Sequence, residues 1–475
     1  MFNNRFSLMK KFFFVNLLIF FSLLSKSGLS DDDAKIRTII EELNVPVHLS
    51  KNEFISPDSI FVLEHKLGQI VEIENYDKEP KLNSKPILNI KSLLTESEDW
   101  EQGFNGFAFS PNFKEDKYIF VSYVNKKNQT ILSRFEYDDK IKQAKLSSEV
   151  ELLSVERLSS EDIPYHNCGT ISFNPRDNYL YICLGDTMVP DSSQNIKVLN
   201  GKILRIDPFK ISENGKTYSF VRENPFTQLD GKPEILFLGF RNPWKFSFDS
   251  ETGDIYIPDN GSEYIEELNI VKYENFNNYL NFGAGCFEGS YRIYDKHYVD
   301  VKNSKKICLK NINDPSMKMI EPKLQYLHES LISTNDDSYG NSIIGGVVYK
   351  NKNSIWHNHY FFADYITSNI WYLDTTKKKN YIGINLYFGE YLGLTSINQV
   401  DDKLLATSDN GSIYEIILPN KKNLEKSIYN KPIIYNKLHA VDVMNRSNEI
   451  IFTTSSNFYK FLVKVRKIKE KLFGS

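Results

Sequence analysis

His166-Asn167-Cys168-Gly169-Thr170-Ile171-Ser172-Phe173-Asn174-Pro175-Arg176-Asp177-Asn178-Tyr179-Leu180-Tyr181-Ile182-Cys183-Leu184-Gly185-Asp186 is the stretch on which the fold turns. Two alternating runs flank Pro-Arg-Asp-Asn, so the segment reads as a β-hairpin closed by a polar turn. With Phe173 facing Leu180, Asn167 faces Asp186, which puts His166 and Asp186 at the same open end. An imidazole beside a carboxylate is a general base with a group to orient it. The plain alternative for His166 is a structural histidine bonded to a neighbouring strand.

The same unit recurs along the chain. Gly106-Phe107-Ala108-Phe109-Ser110-Pro111 leads to Tyr118-Ile119-Phe120-Val121-Ser122-Tyr123, and Phe246-Ser247-Phe248-Asp249 turns into Asp254-Ile255-Tyr256-Ile257. Weaker copies run from Ile60 to Glu72, from Gly346 to Asp364 and from Leu404 to Tyr414, with a further candidate from Ala440 to Phe452. Spacings of roughly 45–75 residues, with no long helix pattern between them, predict an all-β propeller. Its blades are expected to be four-stranded and antiparallel, six or seven by the count of copies, with long loops between them, notably residues 283–325.

The first thirty residues read differently. Arg5, Lys10 and Lys11 precede the apolar run Phe12 to Leu24, and small or polar residues follow to Ser30. That order predicts a secretory signal over residues 1–30, with an uncleaved anchor as the alternative. No later stretch is apolar enough to span a membrane. Removing those residues takes away four basic side chains and no acidic ones, so the formal charge moves from −3 to −7. A mildly acidic exported chain argues against nucleic acid as a partner. The single propeller is expected over 31–455. The remaining 456–475 form a basic tail, either a solvated helix or a segment that touches an anionic surface. The sequons at Asn128, Asn260, Asn410 and Asn445 matter only in a eukaryotic secretory route.

Four cysteines in an exported chain point to disulfides. Cys286 and Cys308 flank a polar insertion and are expected to pair. Cys168 and Cys183 are diagonal neighbours in the hairpin register, so a bridge between them needs a local distortion. His357 and His359 have a spacing that suits metal on a strand, but are expected in a solvated connection.

A second hairpin carries a second group of polar residues. With Phe248 facing Ile255, Asn242 faces Gly261, which gathers Arg241 and Asn242 with Asp259, Asn260 and Gly261. Two hairpins of one propeller then present a His/Asp pair and an Arg/Asn/Asn group at matching ends, near the axis. The plain alternatives are a core arginine satisfied by carbonyls and an ordinary Asn-Gly turn.

The motifs come in a telling order: His166-Asn167-Cys168-Gly169, Leu184-Gly185-Asp186, Gly201 to Asp207, Gly239-Phe240-Arg241-Asn242-Pro243-Trp244, Thr252 to Ile257, Glu266 to Asn269, Asn281 to Gly283, Cys286 to Gly289 and Gly345 to Tyr349. This series, over residues 100–415, resembles the soluble pyrroloquinoline quinone (PQQ)-dependent glucose/sorbosone dehydrogenase family of six-bladed propellers. The resemblance implies an exported quinoprotein that oxidises a sugar or polyol with PQQ and calcium and passes electrons to an external acceptor. It assigns His166 as the base that takes the hydroxyl proton and Asp186 as its orienting carboxylate. Arg241 stabilises charge growing on the quinone oxygen, with Asn242 and Asn260 beside the cofactor. The carbonyls of Gly261 and Ser262 would be ligands for calcium, a cation that prefers oxygen.

The sequence also departs from that pattern. The lysine expected near Phe362-Ala363-Asp364-Tyr365-Ile366-Thr367 is missing, and so is the arginine pair expected around Tyr391-Leu392-Gly393-Leu394-Thr395-Ser396. Each lost charge-assisted contact to a tricarboxylate is worth about 1.5–3 kcal/mol. Two other functions therefore compete. One is a non-catalytic propeller that binds a glycan or protein, as the Hedgehog-interacting relatives of the family suggest; the other is a calcium-dependent hydrolase of the lactonase type.

Overall fold

The computed structural model describes residues 34–420, apart from 98, 160–162, 213–214, 294–305, 309, 312, 329–338, 377–383 and 388–390. The expected signal segment, the Ala440–Phe452 copy, the Asn445 sequon and the basic tail lie outside the described residues. Helices among the described residues are short, such as Phe113–Asp116 and Pro190–Gln194. None is long and apolar enough to cross a membrane.

Strands build the molecule, in a propeller-like all-β arrangement. The repeats that fall among the described residues become antiparallel strand pairs within the sheets. Phe104–Phe109 pairs with Tyr118–Val124, Cys168–Phe173 with Leu180–Leu184, and Ile343–Tyr349 with His359–Asp364. Six sheets of four, five, five, five, four and seven strands result, together with a two-stranded ribbon at Phe287–Glu288 and Tyr291–Arg292. The uniform four-stranded antiparallel blade expected from the repeat is therefore corrected. The seven-stranded sheet is extended by parallel pairings of Leu238 with Asn281 and of Leu280 with Lys318. These two parallel additions come from the long insertion that follows Val271, which finds edge hydrogen bonds by lying along an existing sheet.

One sheet is completed from both ends of the described chain. Lys35–Ile40 adds to Ile413–Ile417, with Arg37 opposite Glu415 and its guanidinium bonded to that carboxylate. The apolar faces then pack sheet on sheet. Phe61 and Leu63 of one sheet meet Phe104, Phe107 and Val121 of the next, and Ile344, Phe361 and Ala363 meet Leu394, Leu404 and Ala406. Burying each such large side chain contributes about 1.5–3 kcal/mol, so the inter-sheet layers form the core. One strand from each of the six sheets borders a single cavity of 580 Å³, through residues 48–50, 107–109, 170–173, 247–248, 345–347 and 396–399.

Candidate functional site

The opening hairpin forms with Phe173 opposite Leu180 and Ile171 opposite Ile182, then slips, so that Cys168 faces Leu184. The slip is a bulge built from left-handed residues: His166, Cys168 and Gly169 have φ of +61°, +51° and +102°. Gly169 tolerates its φ because it has no Cβ, and an added one would lie 2.7 Å from the Cβ of Asn105. The expected pairing of Asn167 with Asp186 is thus corrected by one residue. Gly185 N–H donates to the Asn167 carbonyl at 3.5 Å, and Thr187 N–H to that of His166 at 3.3 Å. The same slip supplies the distortion a diagonal bridge needs, and Cys168 and Cys183 are disulfide-bonded with a Cα separation of 5.9 Å. Cys286 and Cys308 pair as well.

The juxtaposition at the open end survives the slip. His166 Nδ1 lies 2.6 Å from Asp186 Oδ1, with both residues buried. Asp186 Oδ1 also accepts the Met188 N–H at 2.8 Å, so the carboxylate is held from a second direction. A carboxylate at Nδ1 fixes the tautomer that carries its proton there, which leaves Nε2 to accept another. Below it, the Ser192 hydroxyl donates to the Asp186 carbonyl, and the buried Lys202 ammonium caps the carbonyls of Ser192, Ser193 and Asn200.

The second hairpin reaches the first directly. Phe248 faces Ile255 as expected, but Asn242 accepts from Asn260 N–H, one residue short of the predicted Gly261. Asp186 N–H donates to the Arg241 carbonyl at 2.8 Å, so the two hairpins share a hydrogen bond at the proposed site. The Asp259 carboxylate accepts the N–H groups of Arg241 at 2.9 Å and Asn242 at 2.7 Å. Arg241 Nη1 donates to the Asn260 carbonyl at 3.0 Å, and the Asn260 side chain bridges the Asn242 carbonyl and the Ser342 hydroxyl. His166, Asp186, Arg241, Asn242 and Asn260 thus come together in one network.

Behind Asp259 stands a second buried carboxylate. Glu267 is its cross-strand partner, accepts the Gly289 N–H and takes a 3.2 Å bond from Asn269 Nδ2. Burial, with the charges of Glu288 and Glu266 adding to it, pushes the Glu267 carboxyl up to about 7. Asp259 is also driven well above the carboxylate range, by burial and then by Glu267.

Two participants were not expected. Glu101 Oε2 accepts Asn167 N–H at 3.0 Å and Asn242 Nδ2 at 3.3 Å, which ties both hairpins to the loop before Phe104. Arg157 donates to the Asn167 side chain at 2.6 Å and to the carbonyls of Ile163 and Tyr165, which braces the segment leading to His166. Neither sits in a motif, and only their charge in otherwise polar loops marked them.

The turn proposed for calcium is tightly built. An added Cβ on Gly261 would lie 1.9 Å from the Ile265 carbonyl oxygen, so only glycine fits. Glu288 Oε1 collects the N–H groups of Glu263, Tyr264 and Ile265. No group of three or more His, Cys, Asp or Glu side chains placed to hold a metal is found among the described residues. His359 is corrected from a solvated connection: it is buried at the start of a strand, with Nδ1 bonded to carbonyls of Trp356 and His357. Around the later sheets, Tyr365 donates to Asp409 at 2.7 Å and the Asp364 carboxylate accepts six surrounding N–H and O–H groups. Carboxylates and phenols occupy the segments in which the resemblance leads one to expect basic residues.

The Glucose / Sorbosone dehydrogenase family profile matches residues 44–281, half of the chain. The chain belongs to that family. HIPL2 protein of Arabidopsis thaliana is 28% identical over 338 residues, covering 61% of this chain and 46% of its own length. Quinoprotein glucose dehydrogenase B of Acinetobacter calcoaceticus is 27% identical over 273 residues, 53% of this chain and 52% of that protein. The chain therefore spans about half the length of the curated relatives it matches. The PQQ-bound aldose sugar dehydrogenase of Streptomyces coelicolor superimposes with a TM-score of 0.58 at 18% identity, over 81% of this chain and 98% of that one. This likeness establishes the shared propeller-like fold.

Proposed function

We propose that this family member is an exported, sugar- or polyol-oxidising propeller of six blades, with its reaction centred on His166. The observation that carries the reading is the 2.6 Å His166–Asp186 pair, hydrogen-bonded through Asp186 N–H to the residue that bears the Arg241 guanidinium. His166 Nε2 takes the proton of a substrate hydroxyl, while Asp186 holds the ring and stabilises the imidazolium that forms. Arg241 supplies positive charge where negative charge accumulates, at an orientation set by Asp259 and Asn260. PQQ, when bound, supplies the hydride acceptor. Arg241, Asn242 and Asn260 suit its reactive end, and the carbonyls of Gly261 and Ser262 suit a calcium beside it. The six sheets around one cavity support the blade count, and the two disulfides and the N-terminal apolar run support export.

A second reading rests on the acidic and aromatic surroundings of Asp364, Tyr365 and Asp409. A site that cannot clamp a tricarboxylate can still bind a glycan or protein at the same axial end, an option that the name of the human Hedgehog-interacting protein, 26% identical over 284 residues, suggests. Titration with PQQ and calcium decides between them. The dehydrogenase reading expects a change in quinone absorbance and aldose-dependent dye reduction, both at tens of micromolar PQQ. His166→Ala should then abolish turnover while sparing PQQ binding, and Arg241→Ala should weaken both. No spectral change with wild-type protein overturns the dehydrogenase reading.

A further inference from the structure

Lys245 is placed where a lysine is doubly disfavoured. Its φ is +64°, in the left-handed region that suits glycine, and its side chain is buried. The one hydrogen bond described for its ammonium is a 3.4 Å contact to the Asn105 carbonyl, and its other neighbour is the Trp244 ring, 5.2 Å away. An ammonium carries three donors, so two are without a described acceptor. Burial alone lowers its pKa to about 7, with no carboxylate opposing the shift. A strained and under-satisfied buried cation persists in a fold when something else compensates it.

The surroundings show what that is. Lys245 borders the 580 Å³ axial cavity together with His48 and Thr170, whereas His166, Asp186 and Arg241 do not border it. Thr170 Oγ1 is buried without a hydrogen-bond partner. Glu53 is the sole acidic residue among those lining the cavity, and the other lining lysine, Lys51, is engaged by Asp401 at 2.7 Å. His48 is kept neutral by burial and by the Lys245 charge. The cavity thus has a cationic centre and an unpartnered buried hydroxyl, and the exposed Glu53 is the one carboxylate among its lining residues.

We propose that the axial cavity is a second binding site, for a small monoanion such as chloride or a carboxylate, held by the Lys245 ammonium and the Thr170 hydroxyl. Charge-assisted hydrogen bonds in a low-dielectric cavity favour a compact anion over water. The site is independent of the oxidation chemistry proposed at His166.

Thermal unfolding of the full chain at constant ionic strength tests this, with sodium methanesulfonate replaced stepwise by sodium chloride in one arm and sodium acetate in the other. A saturable rise in the midpoint is expected in at least one arm, and the responding arm names the ligand class. Lys245→Gly, whose backbone suits the local φ, should fold and lose the response, while Lys245→Arg should keep it. Thr170→Val should weaken apparent affinity about tenfold, the loss of one good hydrogen bond to an anion. Flat wild-type responses in both arms overturn the proposal, as does an undiminished response in Lys245→Gly. If that variant does not fold, unchanged affinity in Thr170→Val overturns it instead.

Discussion

Replacing Glu267 with glutamine should stabilise the protein in a pH-dependent way. The Glu267 carboxyl titrates near 7 in the native state against an ordinary 4.5, chiefly because it is buried and faces other carboxylates. Between those two values the native state holds a proton that the unfolded chain has released, so native stability falls as pH rises from about 4.5 to 7. The loss amounts to about 3 kcal/mol once both states are ionised. Glutamine keeps the shape and removes the charge. Its oxygen can accept the Gly289 N–H, and its amide can donate to Asn269, whose Oδ1 is buried without a partner and can turn to meet it. Denaturant unfolding at pH 5 and pH 8 measures the effect. The variant should match wild type within about 1 kcal/mol at pH 5 and exceed it by about 2–3 kcal/mol at pH 8. Relief of the Asp259 carboxyl, which Glu267 pushes up, acts in the same direction. Equal stability differences at both pH values, or a variant weaker at pH 8, would refute the burial argument.

Two further outcomes follow from the same architecture. Joint replacement of Cys168 and Cys183 by alanine opens a loop with a sequence separation of 15, and should cost about 3 kcal/mol in denaturant unfolding. A loss below about 0.5 kcal/mol would show that the bulge holds the His166 segment without the bridge. Lys202→Met strands three buried carbonyls beneath Asp186 and should destabilise the protein by about 2–4 kcal/mol, read by the same assay; a neutral variant would contradict the capping role.

The repeat was legible because a hairpin is a local object. Alternation and a polar turn specify it within some twenty residues, and the pairs Phe173–Leu180 and Phe248–Ile255 form as expected. The bulge that shifts Cys168 was not legible, since it depends on three left-handed residues and on the side chain of Asn105 lying close by. Likewise, the alternation pattern does not announce that Lys35–Ile40 completes the sheet of Ile413–Ile417, or that an insertion lengthens one sheet to seven strands.

For the site, the sequence by itself determined which polar residues gather at which hairpin end: His166 with Asp186, and Arg241 with Asn242 and Asn260. That follows from strand period and turn position, which neighbouring residues set. Only the tertiary structure decided how the two ends meet. The Asp186–Arg241 hydrogen bond, the bridge through Glu101, the brace of Arg157, the carboxylate pair Asp259–Glu267 and the buried Lys245 all join residues that lie on different strands or distant loops. Their strength and titration come from burial, and burial exists only after the sheets have packed around a common axis.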